Sequence, residues 1–203
     1  MVGIRATNHR EPGNKMGLTR AEQKLQAEVE AIALLIDVDF WAVEENYKPK
    51  YRKAKLELMK DKLVRSEVIY RYTLIDEFLT DVICDYYFRR PKKSLGYRDL
   101  WRTKHFRVFV HYLMDETFLL KKLSVVEAIK KVPVDVSKGI KRINDVRNAI
   151  AHSLLPENRR RYMAERKVTY QGVALFSRAG IVKFREDYDI VHKYFWRKVF
   201  GSR

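Results

Sequence analysis

The chain contains a single cysteine, Cys84, among 203 residues. One cysteine excludes an intramolecular disulfide and any Cys-based zinc cluster. Long apolar runs are also missing. The longest reaches from Ala31 to Val43, is interrupted by Asp37 and Asp39, and is too short to span a bilayer. The first residues lack the apolar core and cleavage site of a secretory signal, so the expectation is a cytoplasmic protein without a membrane partner. There is no internal repeat and no low-complexity tract. No compact His/Asp/Glu set has metal-ligand spacing, which ranks a metal-dependent nuclease last among the readings and leaves no cofactor or metal to assign.

What is present describes a basic globular domain. Hydrophobic residues make up 46% and aromatics 12%, which excludes a disordered chain, and the length suits one domain. Lys and Arg number 42 against 26 acidic residues, a formal net charge of +16. That field attracts polyanions, of which nucleic acid is the commonest. Solubility alone is the competing explanation.

The apolar spacing is mainly helical. Residues 1–17 read as a flexible, basic N-terminal arm, and 18–203 as one helical domain. Thr19-Arg20-Ala21-Glu22 matches a capping box and opens a helix expected to run to about Glu45. A second helical region covers about Tyr51 to Phe88, with Lys60-Asp61-Lys62 as a candidate break. In its latter half Val68, Tyr72, Ile75, Leu79, Val82 and Tyr86 form a four-three seam. Glu77, Asp81 and Asp85, spaced by four, read as a solvated or ion-paired stripe. Arg89 to Lys93 forms a basic loop around Pro91. A third helical region is expected over about Tyr97 to Leu123. A second capping-box pattern, Ser124 to Glu127, predicts a short helix ending before Pro133. Asp135 is the predicted N-cap of a helix from Val136 to about His152, with Pro156 beyond it. Two β-prone runs around Gln171-Gly172 predict a hairpin at about 167–176. A last helix follows from Gly180 to Phe200, with Val182, Tyr188, Val191 and Phe195 on or near one face. The fold class is therefore mainly α, an up-and-down helical bundle with a small C-terminal β-hairpin.

The chemistry concentrates in the helix before His152. At about 100° per residue, Ile140, Ile143, Val146 and Ile150 form its buried stripe, extended by Leu154 if the helix continues. Asp145, Asn148 and His152 lie on roughly the opposite side, and Arg147 lies near the stripe's edge. Asn148, one turn before His152, can orient the imidazole and fix its tautomer. Arg147 brings a permanent planar cation suited to phosphate. An oriented His that moves protons and an Arg that stabilises a phosphorane-like transition state form a minimal kit for cleaving RNA without a metal. On an ideal helix positions 147 and 152 diverge by about 140°, so convergence needs a helix end, a reaching Arg, or a second copy across a twofold axis. Arg142, Arg159, Arg160 and Arg161 flank the motif and are candidate guides for an RNA backbone. An ordinary solvated basic surface is the alternative for each.

Ile143 to Ser153 resembles the signature of HEPN domains: an Arg, a polar residue that is often Asn, a few mostly apolar residues, then His. The Arg falls on Arg147, the polar residue on Asn148 and the His on His152. The helical framework from about Thr19 to His152 agrees in kind, and the hairpin with its last helix is similar to that of some members. The resemblance implies a metal-independent endoribonuclease of toxin–antitoxin, phage-defence or related systems. It implies a homodimer in which two Arg–His motifs share a cleft, and a cognate antitoxin as partner. Other members are non-catalytic RNA- or nucleotide-binding or scaffold modules. One subgroup is regulated by modification of a Tyr two positions after the His. This chain has Leu154 there, which departs from that pattern. A third expectation is an interaction protein whose helices pack on a partner.

Overall fold

The computed structural model describes residues 18–36, 49–88, 100–152 and 168–201, with the backbone only at 49–51, 152 and 198–200. The expected N-terminal arm, the extension of the first helix past Ile36, the basic loop from Arg89, and Leu154 with the stretch after it lie outside the described residues.

Six α-helices and one hairpin make up the described fold. Helix α1 spans Arg20–Leu35, and its capping box forms as predicted. The Thr19 hydroxyl accepts from the Glu22 amide, while the Glu22 carboxylate accepts from Thr19. Helix α2, Pro49–Phe88, is a single element. Lys60-Asp61-Lys62 does not break it, because both lysine–acid pairings run along the helix or onto α1: Lys60 reaches Glu57 and Glu28, and Asp61 holds Arg65 at 2.7 Å. The seam of α2 is buried at Val68, Ile75, Leu79 and Val82 and half-buried at Tyr72, but Tyr86 is exposed. Among the described residues no group of three His, Cys, Asp or Glu is placed to hold a metal ion.

The expected third helix is divided. A 3-10 turn, Leu100–Arg102, leads into α3, Lys104–Phe109, which widens into a π-turn at Val110–Met114. The Thr103 side chain caps α3 by accepting from the Phe106 amide. Helix α4 then starts afresh at Leu119 and runs to Ile129. Apolar spacing continues through both pieces, so periodicity carried no sign of the turn between them. The second predicted cap is also corrected. Ser124 lies inside α4, where its hydroxyl donates to the Leu120 carbonyl, a back-bond common for Ser within helices. Glu127 instead accepts from the Ser137 hydroxyl on α5. Helix α5 spans Val134–His152. Pro133, rather than Asp135, precedes it, and the Pro133 carbonyl accepts from the Ser137 amide. Asp135 lies in the first turn, where a carboxylate complements the helix dipole.

Strands β1 (Thr169–Tyr170) and β2 (Val173–Ala174) pair antiparallel around Gln171-Gly172. Both turn residues have positive φ, +48° and +77°, the conformation of a tight type I′ connection. Helix α6, Arg178–Tyr194, continues as a π-turn to Phe200. Ser177 caps it, accepting from the Gly180 amide. A Cβ on Gly180 would stand 2.2 Å from the Ala174 carbonyl oxygen, so only glycine allows the hairpin to fold onto this helix.

The main core joins all these layers except the tip of α3. The α5 stripe, Ile140, Ile143, Val146 and Ile150, is buried as its spacing predicts, in one core with Ile32, Leu79, Leu123, Phe184 and Val191. Each such side chain contributes about 1.5–3 kcal/mol relative to exposure. No described helix is long and apolar enough to cross a membrane.

Candidate functional site

Helix α5 packs between α2 and α6, and these neighbours decide what its polar side chains can do. Towards α6, Arg142 grips Asp187 with both arms of its guanidinium, Nε to Oδ2 at 2.7 Å and Nη2 to Oδ1 at 2.6 Å. The Tyr170 hydroxyl and the Gln171 amide donate to the same carboxylate. Burial opposes charge on Asp187, but the hydrogen bonds from Arg142, Tyr170 and Gln171 outweigh it and hold its pKa below the ordinary value. The bond to Asp187 pushes the Arg142 pKa up, with burial acting against it. Burial, then the bond to Asp187, pushes the Tyr170 phenol up. This four-residue knot ties α5 to the hairpin and α6. It accounts for Arg142 as a structural ion pair and occupies the fork that was a candidate for an RNA backbone.

Towards α2 the arrangement is different. Arg147 is half-buried at the flank of the stripe. Its guanidinium carbon stands 5.0 Å from the centre of the Tyr72 ring, and Nη1 donates to Asn148 Oδ1 at 3.2 Å. Both partners are uncharged. Burial keeps the Tyr72 phenol protonated by raising its pKa, Arg147 pulls the other way, and Asp76 one turn along α2 adds a smaller push upward. Asp76 itself is paired with the buried Lys122 of α4, 2.6 Å away. That acid is thus already paired, and the Arg147 charge is held in place by a ring and an amide. The Asn148 oxygen accepts from Arg147, and its expected contact with the imidazole falls outside the described atoms.

His152 closes the described part of α5, and its side chain lies outside the described atoms. Its backbone is helical, as is that of Arg147. Positions five apart on a regular helix are rotated by about 140°, so within one chain the two positions point different ways. The expected reach of a phosphate-binding surface onto Arg159, Arg160 and Arg161 falls outside the described residues.

One neighbour of this helix end went unread in the sequence. Arg65 of α2 donates through Nη1 to the Ile150 carbonyl at 3.1 Å, in the last turn before His152. Its Nε is held by Asp61, and its guanidinium lies 5.3 Å over the Phe176 ring just after the hairpin. Arg65 and Tyr72 are seven residues apart on α2, two turns along one face. They meet Ile150 and Arg147 in reverse order, so α2 and α5 run antiparallel here. A cation near the carbonyls at the end of α5 also complements the helix dipole. An Arg at i+4 from an Asp is the ordinary signature of a surface helix pair, which is why spacing could not single it out.

The wall formed by α2 and α5 therefore carries two arginines in the turns before His152, one paired with Asp61 and bound to the end of α5 and one resting on a tyrosine. The chain matches no protein-family model, no curated protein and no solved structure.

Proposed function

We propose that this chain is a metal-independent endoribonuclease of HEPN type, acting as a toxin or phage-defence effector. Two copies would build one composite cleft around Arg147 and His152. RNA is the substrate, a second copy the partner, and a cognate antitoxin the restraint expected in the cytoplasm. The observation that carries this reading is Arg147. It is held on a rigid helical wall by neutral groups, so a phosphate does not have to displace a carboxylate to reach it.

In this reading one His152 imidazole takes the proton of a ribose 2′-hydroxyl. The oxygen attacks the adjacent phosphorus, the bond from phosphorus to O5′ breaks, and an imidazolium returns a proton to the leaving O5′. Arg147 stabilises the charge that accumulates on the phosphate oxygens. Asn148 steadies Arg147. The helical separation of positions 147 and 152 supports the use of two copies, because a twofold axis brings an Arg of one face to a His of the other.

The products would carry a 2′,3′-cyclic phosphate and a 5′-hydroxyl. Incubating mixed RNA with the protein in EDTA tests the reading. Cleavage that disappears in His152→Ala supports it, and full cleavage by that variant overturns the role of His152. One observation favours a second reading, a non-catalytic RNA- or nucleotide-binding or scaffold module: Arg147 already has a cation–π partner, which is how a structural arginine is often kept. That reading gives salt-sensitive RNA binding with no turnover.

A further inference from the structure

The segment Leu100–Met114 reaches the main core only through Phe109 and Met114. Phe106 and Val110 pack with Cys84 in a second, smaller cluster edged by Phe88, Leu100 and Phe109. The aromatic side chains form a continuous chain of ring contacts. Trp101 meets Phe106 edge-on at 5.2 Å and His111 at 5.3 Å. Phe106 meets Phe88 at 5.1 Å, Phe88 meets Phe109 at 5.1 Å, and Phe109 meets Tyr87 at 5.6 Å. The inner rings hold two outer rings in place at the surface, Tyr87, 58% exposed, and Trp101, 39% exposed, and Tyr112 of the same segment is 73% exposed.

The charge of this segment is one-sided. It carries Arg102, Lys104 and Arg107 with His105 and His111, and no Asp or Glu. All three cations are exposed. The side-chain contact described within reach of the segment, His111 with Asp115 at 3.2 Å, leaves them uninvolved. Supported aromatic faces interleaved with free cations match the two needs of an unpaired nucleic-acid strand, whose bases stack on rings and whose phosphates pair with Lys and Arg.

We propose that this α3 segment is a docking surface for single-stranded RNA, with bases stacking on Trp101 and Tyr112 and phosphates held by Arg102, Lys104 and Arg107. It deepens the ribonuclease reading and rests on it for the identity of the RNA as substrate. A duplex has its base faces already stacked and gains little from exposed rings. A second copy of the same segment brings the same cations and is repelled.

The test uses the full chain carrying His152→Ala, so that the probe is not consumed. The probe is a fluorescent single-stranded RNA of about 12 nucleotides without self-complementarity, compared with its duplex and with the same DNA sequence. The single strand is expected to bind about tenfold tighter than the duplex, with quenching of Trp101 fluorescence that is lost in Trp101→Phe. Tyr112→Ala with Arg107→Gln changes two exposed side chains and is expected to keep the wild-type melting temperature. It should weaken single-strand binding about tenfold or more and flatten its salt dependence. DNA binding equal to RNA binding would keep the surface and assign its selectivity elsewhere. Unchanged single-strand binding in the double variant, or a duplex bound as tightly as the strand, overturns the proposal. So does a variant that loses only binding to phosphatidylserine vesicles, or only self-association in sedimentation. Cleavage by the chain with His152 intact separates the two ideas. Binding without cleavage sinks the catalytic reading and leaves this surface standing, whereas cleavage with unaltered KM in the double variant sinks the surface alone.

Discussion

Arg142 and Arg147 are five residues apart on the same helix, yet their surroundings are electrically opposite. Arg142 faces α6 and meets a carboxylate that is itself held by a tyrosine and a glutamine. Arg147 faces α2 and meets a tyrosine ring and an asparagine oxygen. The first arrangement leaves little net charge, because each added donor strengthens the ionised form of Asp187 and so its hold on Arg142. The second leaves a full positive charge at a fixed place. An arginine that stabilises the fold and one that is available to a phosphate therefore differ less in exposure than in the charge of what holds them.

The largest effect that separates them should be on activity. Arg147→Ala is expected to lower RNA cleavage about 100- to 1000-fold, the scale of removing one donor to a developing oxyanion, while shifting stability by about 1 kcal/mol or less. Arg142→Ala should do the reverse, with its loss read in a urea melt and its cleavage rate kept once the protein is folded. Equal profiles for the two variants would erase the distinction.

The knot comes next. Asp187→Ala removes the acceptor from a carboxylate site whose side chain is 6% exposed, and a loss of about 3 kcal/mol is expected in urea unfolding at neutral pH. The sign of the pH dependence follows from the lowered pKa of Asp187. Its contribution is complete above the ordinary carboxylate value and is lost as pH falls through the folded one, a window below about pH 4. The stability gap between the wild type and Asp187→Ala should therefore begin to narrow below about pH 4 and go on narrowing as pH falls further. A constant gap would show that the carboxylate's charge is not what holds the knot.

A smaller effect is expected at the end of α5. Arg65→Gln should cost about 1–2 kcal/mol through the lost charged hydrogen bond to Ile150. Amide exchange should speed up over Ala149 to Ala151 but not around Ile140. Uniform acceleration along α5 would make Arg65 a general packing residue. The smallest change is Tyr72→Leu, about 0.5–1 kcal/mol. It should free Arg147 and steepen the salt dependence of RNA binding, and an unchanged salt slope would show that the ring does not restrain the cation.

Local features were legible in the chain. The Thr19–Glu22 box, the Gln171-Gly172 turn and the α5 stripe each depend on residues within a few positions, and each is found where spacing puts it. The errors have one kind of cause. Ser124 carries a capping pattern, but its hydroxyl bonds backward within a helix that began earlier. The third helical region keeps its apolar period across Asp115–Phe118, so the turn there left no periodic trace. In both places local propensity was satisfied by more than one backbone path, and packing of α4 on α2 selected between them.

The same division holds at the site. The sequence by itself determined that α5 would form, that Ile140, Ile143, Val146 and Ile150 would be buried, and that Asn148 would lie off that stripe, because helical period and side-chain polarity are properties of the segment. Which arginine would be neutralised was decided only by tertiary structure. Asp187, Tyr170, Tyr72 and Arg65 are distant in the chain, and nothing in the residues around Arg142 or Arg147 distinguishes one from the other. The folding of α2 and α6 against opposite flanks of α5 brings a carboxylate to one arginine and a neutral ring to the next. Charge at a site is a sum over neighbours in space, and those neighbours exist only once the bundle has closed.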